Sequence, residues 1–89
     1  MLYVVALQDI PDNADIRARL LDAHMAHIGQ FLDRIRLGGP LLHDAEDRVA
    51  GGILILEAQS ADEVMEIVMA DPYFEAGLWA DGRLHAFKA

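Results

Sequence analysis

Four clusters of turn-forming residues cut this chain into pieces that suit only a small layered fold: "DIPDN" at 9–13, "GGP" at 38–40, "DAEDRVAGG" at 44–52 and "DP" at 71–72. Proline fixes φ and removes an amide donor, and glycine, asparagine and aspartate supply turn geometry, so regular elements must lie between these points.

The segments between the clusters alternate in type. "LYVVALQD" is short and rich in β-branched and aromatic residues, which predicts a first strand buried on both faces or nearly so. From about residue 14 to 35, Ile16, Leu20, Ile28, Phe31 and Ile35 recur at helical spacings, predicting a helix stopped by "GGP". Asn13 or Asp15 suits its start as an acceptor for free amides, and Arg34 and Arg36 suit its end. "GGPLLH" and "GGILILEAQ" flank a polar turn and predict an antiparallel hairpin. Ser60 with Glu63 three residues on is a capping box, and Val64, Ile67 and Val68 form the apolar stripe of a second helix. Asp71-Pro72 ends that helix, because the residue before proline is pushed out of helical geometry. "YFEAGLWADG" reads as an irregular connection, and "RLHAFKA" as a last strand with Leu84 and Ala86 inward. The order is βαββαβ: an α+β, ferredoxin-like fold with two helices on one face of an antiparallel sheet, in a single domain over residues 1–89.

Composition then bears on assembly. A domain this small buries only roughly 60% of its unfolded surface. Yet 54% of the 89 residues are apolar, and no cysteine is available to staple the fold. One sheet face also lacks a helix. The expectation is a homodimer or higher homo-oligomer that covers it. A net charge of −8 argues against nucleic acid and anionic membranes as partners. The N-terminus lacks a basic start and a cleavage site, and no apolar run approaches the ~20 residues of a membrane span, so a cytoplasmic protein is expected.

Chemistry centres on "LLDAHMAHIG" at 20–29. At about 100° per residue His24 falls in the middle of the helix's apolar stripe and His27 at its edge. A core histidine bonded to a backbone carbonyl is one reading of His24. The other is a general base or acid oriented by a carboxylate. Asp71, held at a helix end by Pro72, is the best candidate for that carboxylate; it also reads as an ordinary cap of the following turn. The two histidines, with His43 or His85, are a weak metal pattern, and no metal is expected. No phosphate-binding glycine pattern occurs, and Ser60, the only serine, is better explained as a helix cap than as a nucleophile.

In this order and spacing the features resemble the YCII-related family, the YciI-like proteins, over nearly the whole chain. The resemblance rests on "MLYVVALQDIPD", His24, "GGPL" at 38–41, "SADEV" at 60–64, "ADPYFEAGLW" at 70–79 and "FK" at 87–88. It implies a dimeric α+β-barrel-type assembly and a histidine–aspartate pair in a pocket, which maps to His24 and Asp71. It also implies removal of chloride and a proton from chlorinated hydroxyaromatic compounds. On this reading Gly39 and Pro40 shape the pocket wall, Tyr73 or Phe74 contacts an apolar ring, and neither an organic cofactor nor a metal is needed. Three positions depart from the family's pattern: Leu21 replaces a basic residue, Gly52 a hydroxyl residue and Ala86 a proline. The leading expectation is a small enzyme-like dimer performing proton transfer as a lyase, dehydrochlorinase or isomerase. The alternative is a non-catalytic small-ligand-binding or accessory dimer of the same fold.

Overall fold

The computed structural model describes residues 1–44 and 47–89. In chain order it contains β1 (Leu2–Asp9), α1 (Ala14–Gly29), β2 (Ile35–Leu42), β3 (Val49–Glu57), α2 (Ala61–Met69), α3 (Pro72–Glu75) and β4 (Trp79–Phe87). The strands form one sheet of order β2-β3-β1-β4, with every neighbouring pair antiparallel. This is the expected ferredoxin-like α+β arrangement. No helix among the described residues is long and apolar enough to cross a membrane.

Strand register decides which side chains meet the helices. Tyr3 pairs with Leu56, Val5 with Leu54 and Leu7 with Gly52, and successive side chains alternate faces. Val5 and Leu56 therefore face α2, whose Val64, Ile67 and Val68 complete the buried core with Ala58. That is the predicted stripe of α2. Its cap is also as expected: Ser60 Oγ accepts from Glu63 N at 3.2 Å, and Glu63 Oε2 accepts from Gln59 N at 3.1 Å. The opposite sheet face carries Leu2, Val4, Ala6, Ile53 and Ile55, all half-buried, with Leu37 61% exposed at its edge. Its centre is apolar, bordered by His85 and Arg83 of β4 and by Glu57, and no helix among the described residues lies over it.

Several boundaries differ from the sequence expectation, each for a physical reason. α1 ends at Gly29, not near Ile35. Phe31 and Ile35 keep the apolar spacing because they pack on the core from a turn and from β2, so the spacing reports burial beyond the helix end. "GGP" at 38–40 lies inside β2 rather than stopping a helix. Pro40 is tolerated there because β2 is an edge strand. Asn13 sits at the N-cap of α1 but makes no cap bond; its amide donates instead to Asp9 Oδ2 at 2.8 Å and to the Val49 carbonyl at 2.7 Å. The connection after Asp71 contains the short helix α3, and β4 starts at Trp79, four residues before the expected "RLHAFKA". The polar turn expected at 44–52 is shorter, since β3 begins at Val49; residues 45 and 46 of it lie outside the described residues.

Backbone approach at the β1–β3 pair demands glycine at one position. A Cβ on Gly51 would lie 1.9 Å from the Leu7 carbonyl oxygen, whereas one on Gly39 would meet nothing within 4 Å. Gly51→Ala should therefore cost about 1–3 kcal/mol through forced separation of the strands. Gly39→Ala should change stability by about 0.5 kcal/mol or less. Urea unfolding of the two variants checks this, and equal midpoints would contradict it.

Candidate active site

The site is built where α2 gives way to α3. Asp71 N bonds the Val68 carbonyl to close α2, and Pro72 then turns the chain. Asp71 adopts φ −69° and ψ 134°, the extended geometry that proline imposes on its predecessor. Its side chain is buried, with 1% of the residue exposed, and both carboxylate oxygens are engaged. Oδ1 accepts from Tyr73 N at 2.9 Å and so caps α3. Oδ2 lies 2.7 Å from His24 Nδ1. The two readings of Asp71, helix cap and partner of His24, hold at once because a carboxylate has an oxygen for each.

His24 reaches this corner from the inward stripe of α1, in which Ile16, Leu20, His24, His27 and Ile28 are half-buried. Its ring stacks on Tyr73 with centroids 4.2 Å apart and planes 15° from parallel. Facing a carboxylate, Nδ1 carries the proton, and the neutral ring then has its lone pair on Nε2. The backbone-carbonyl bond expected of a core histidine belongs to His27 instead: Nε2 donates to the Ile67 carbonyl at 2.7 Å. That carbonyl is available because Asp71 N bonds Val68, not Ile67.

Tyr73 connects the pair to a second buried cluster. Its hydroxyl donates to the Arg17 carbonyl at 3.1 Å, the Arg17 guanidinium lies 5.2 Å from its ring centroid, and Trp79 packs edge-on at 5.9 Å. Arg17 grips the buried Asp9 through Nε–Oδ2 at 2.6 Å and Nη2–Oδ1 at 3.0 Å, and also reaches the Gly51 carbonyl at 3.1 Å. Burial pushes the Tyr73 hydroxyl above its ordinary range; Arg17 opposes this, and Asp71 and Asp9 add to it. Tyr73 therefore stays protonated and stays a donor. Sequence reasoning missed the Asp9–Arg17 pair. The available signal was the spacing of Asp9, Asn13 and Arg17 by fours across the first turn, meaningful only once the strand end and helix start are known to adjoin.

A cleft of about 740 Å³ opens between α1 and the β2–β3 side of the sheet. α1 makes its main backbone approach to α3 rather than to the sheet, which leaves this space open. His24, Asp71, Tyr73, Gly39 and Pro40 all line it. Phe74 does not; it is 41% exposed elsewhere. His43 and His85 are likewise exposed and not part of the lining, and no group of three or more His, Asp or Glu side chains is placed to hold a metal among the described residues.

Comparison with known proteins fits this arrangement. The family model described as the YCII-related domain matches residues 1–88. The chain belongs to the YCII-related family. Among its relatives, protein YciI of Escherichia coli is 33% identical over 95 residues, covering 99% of this chain and 97% of that protein. A Gibberella moniliformis protein named fusaric acid biosynthesis protein 2 is 32% identical, covering 92% and 86%. A 5-chloro-2-hydroxyhydroquinone dehydrochlorinase from Burkholderia phenoliruptrix, solved in complex with 2,5-dihydroxybenzoquinone, superposes with a TM-score of 0.92 at 33% identity, covering 99% of this chain and 94% of that one. Two of the three departures from the YCII-related pattern, Leu21 and Gly52, fall on the cleft wall; the third, Ala86, does not.

The raised Tyr73 hydroxyl gives a pH signature. The folded state holds this proton after the unfolded chain has begun to release its own near pH ~10. Its contribution is complete below that value and is lost as pH rises through the folded one. Tyr73→Phe should remove this alkaline loss and, at neutral pH, cost about 1 kcal/mol for the hydrogen bond to Arg17. Urea unfolding from neutral pH to above pH ~10 measures both. An identical slope in variant and parent would refute the assignment.

Proposed function

We propose that this protein is a small dimeric enzyme that moves a proton on a small organic molecule, with His24 as general base or acid and Asp71 as its orienting carboxylate. The observation that carries the reading is the 2.7 Å contact of His24 Nδ1 with Asp71 Oδ2 at the wall of an open cleft. With Nδ1 committed to Asp71, Nε2 is the nitrogen left to take a proton from an acidic C–H or O–H. The imidazolium so formed faces a carboxylate, which stabilises it as in other histidine–aspartate sites. Tyr73 stacks on the imidazole and holds its plane; its role is toward His24 more than toward substrate. Gly39 and Pro40 form the facing wall.

The reaction class follows from this equipment: a lyase, a dehydrochlorinase-like activity or an isomerase. In the first two, substrate gives its proton to Nε2 and the leaving group departs with its bonding electrons; loss of chloride makes the net product HCl. In an isomerase the proton returns to a different substrate atom. The dehydrochlorinase relative supports this class. The apolar cleft lining favours the other reading, a dimer that binds a small ligand without turning it over. The two readings separate in a screen of halogenated hydroquinones and lactones. Parent activity should fall by about 10²–10⁴ in His24→Ala and substantially in Asp71→Asn, with both variants folded. Turnover that survives both substitutions would remove the pair from the mechanism.

The dimer rests on the uncovered sheet face of Val4, Ala6, Ile53 and Ile55. Light scattering at micromolar concentration should give twice the chain mass, and Ile55→Glu should give a monomer. A parent chain that scatters as a monomer would end the claim.

A further inference from the structure

We infer that the cleft takes an amphiphile: a molecule with one acidic hydrogen-bonding head at His24 and an apolar body running along Met25, Ile28 and Leu32. The inference rests on the proton-transfer reading of His24 and adds the class of its substrate.

Most polar side-chain groups of the lining are already matched to one another. Asp71 gives its two oxygens to His24 and Tyr73 N, the Tyr73 hydroxyl goes to the Arg17 carbonyl, and Arg17 is held by Asp9 and the Gly51 carbonyl. Trp79 Nε1 has no partner among the described residues, but it is buried out of solvent's reach and adds no second anchor. Among the described residues, His24 Nε2 and Arg17 Nη1, both beside the Tyr73 ring, are then the side-chain polar points that the lining leaves to a ligand, so they mark one head end of the cleft. A compound bearing hydroxyls or carbonyls on all sides would bury most of them unpaired, each at a cost of order 1–3 kcal/mol.

The rest of the cleft asks for carbon. Met25 is 57% exposed and Leu32 66% exposed, although both line a concave wall. With Ile28 they form a stripe at spacings of three and four that leads away from His24. The facing wall is kept low: a Cβ on Gly52 would meet only the Gly39 carbonyl oxygen, at 3.7 Å. The result is a slot between the apolar α1 side and a sheet wall of Leu7, Val49 and Leu54 that is lowered at its glycines. Its volume falls within the range of small-molecule sites, roughly 300–1,000 Å³. Apolar area left wet in an empty cleft becomes the driving force when an apolar body enters.

Resorcinol and 4-hexylresorcinol share a phenolic head and differ only in the chain, so they test the body and the head separately. Trp79, the only tryptophan, lines the cleft and reports binding by fluorescence, while the His24 ring resonances report the head. Hexylresorcinol should bind at least about tenfold more tightly than resorcinol, a difference of roughly 1.4 kcal/mol. Both should shift His24. Met25→Ser with Leu32→Ser should bring the two affinities within about threefold and leave resorcinol binding as it was. Equal parent affinities with a His24 shift would overturn the amphiphile and leave the proton-transfer site standing. Tight hexylresorcinol binding without a His24 shift would overturn it as well, placing the probe outside the site. Absence of binding by either would do the same, and turnover in His24→Ala would then decide the proton-transfer reading on its own. If Leu32→Glu instead lowers the mass in light scattering while the affinity ratio holds, the stripe is an interface between copies and the inference falls.

Discussion

One buried carboxylate organises this molecule. Asp71 closes α2 with its amide, opens α3 with one oxygen and meets His24 with the other. Burying an anion is costly unless each oxygen is matched; here His24 of α1 and the Tyr73 amide of α3 match the two oxygens, while the Asp71 amide separately bonds the Val68 carbonyl of α2. The consequence is mechanical as well as electrostatic. α1 is tied to the α2–α3 corner by His24 to Asp71 and, one turn on, by His27 to Ile67. The group that would do chemistry is thus also a strut of the fold.

A second buried pair, Asp9 with Arg17, anchors the other end of the same wall. It links the end of β1 to α1, and Asn13 and the Gly51 carbonyl extend it to β3. Tyr73 lies between the two clusters, stacked on His24 and bonded to the Arg17 backbone. The site is therefore held from both sides, while its cleft-facing surface is left to carbon. This division between a polar frame and an apolar interior is how a short chain holds an imidazole in one orientation beside an open space.

How much of this was legible in the sequence depends on the range of the interaction. Ser60 with Glu63 and the Val64–Ile67–Val68 stripe were readable because caps and helical spacing are local. His24 was placed correctly on the inward face, since Ile16, Leu20 and Ile28 set that face within the true helix. The helix end was misplaced because Phe31 and Ile35 are buried for tertiary reasons and mimic a continuing period. "GGP" misled because an edge strand accepts a proline that an inner strand would reject. Arg17 was missed as a partner of Asp9 because the spacing of Asp9, Asn13 and Arg17 by fours gains meaning only once β1 and α1 are known to adjoin, while Arg19 makes only an exposed pair with Asp15. The two histidines separate in a telling way. The local pattern ranked them by depth, yet what separates their roles is which acceptor each one faces across the α1–α2 boundary.

The seating of α1 through polar contacts has an evolutionary reading. No residue of this helix is fully buried, and the core is made by the sheet and α2. Leu21 and Met25, which line the cleft from α1, are exposed and lie outside the buried core. Substitutions there change what the cleft can hold at small cost to stability. A lineage built on this frame is free to exchange one small molecule for another without passing through unfolded intermediates.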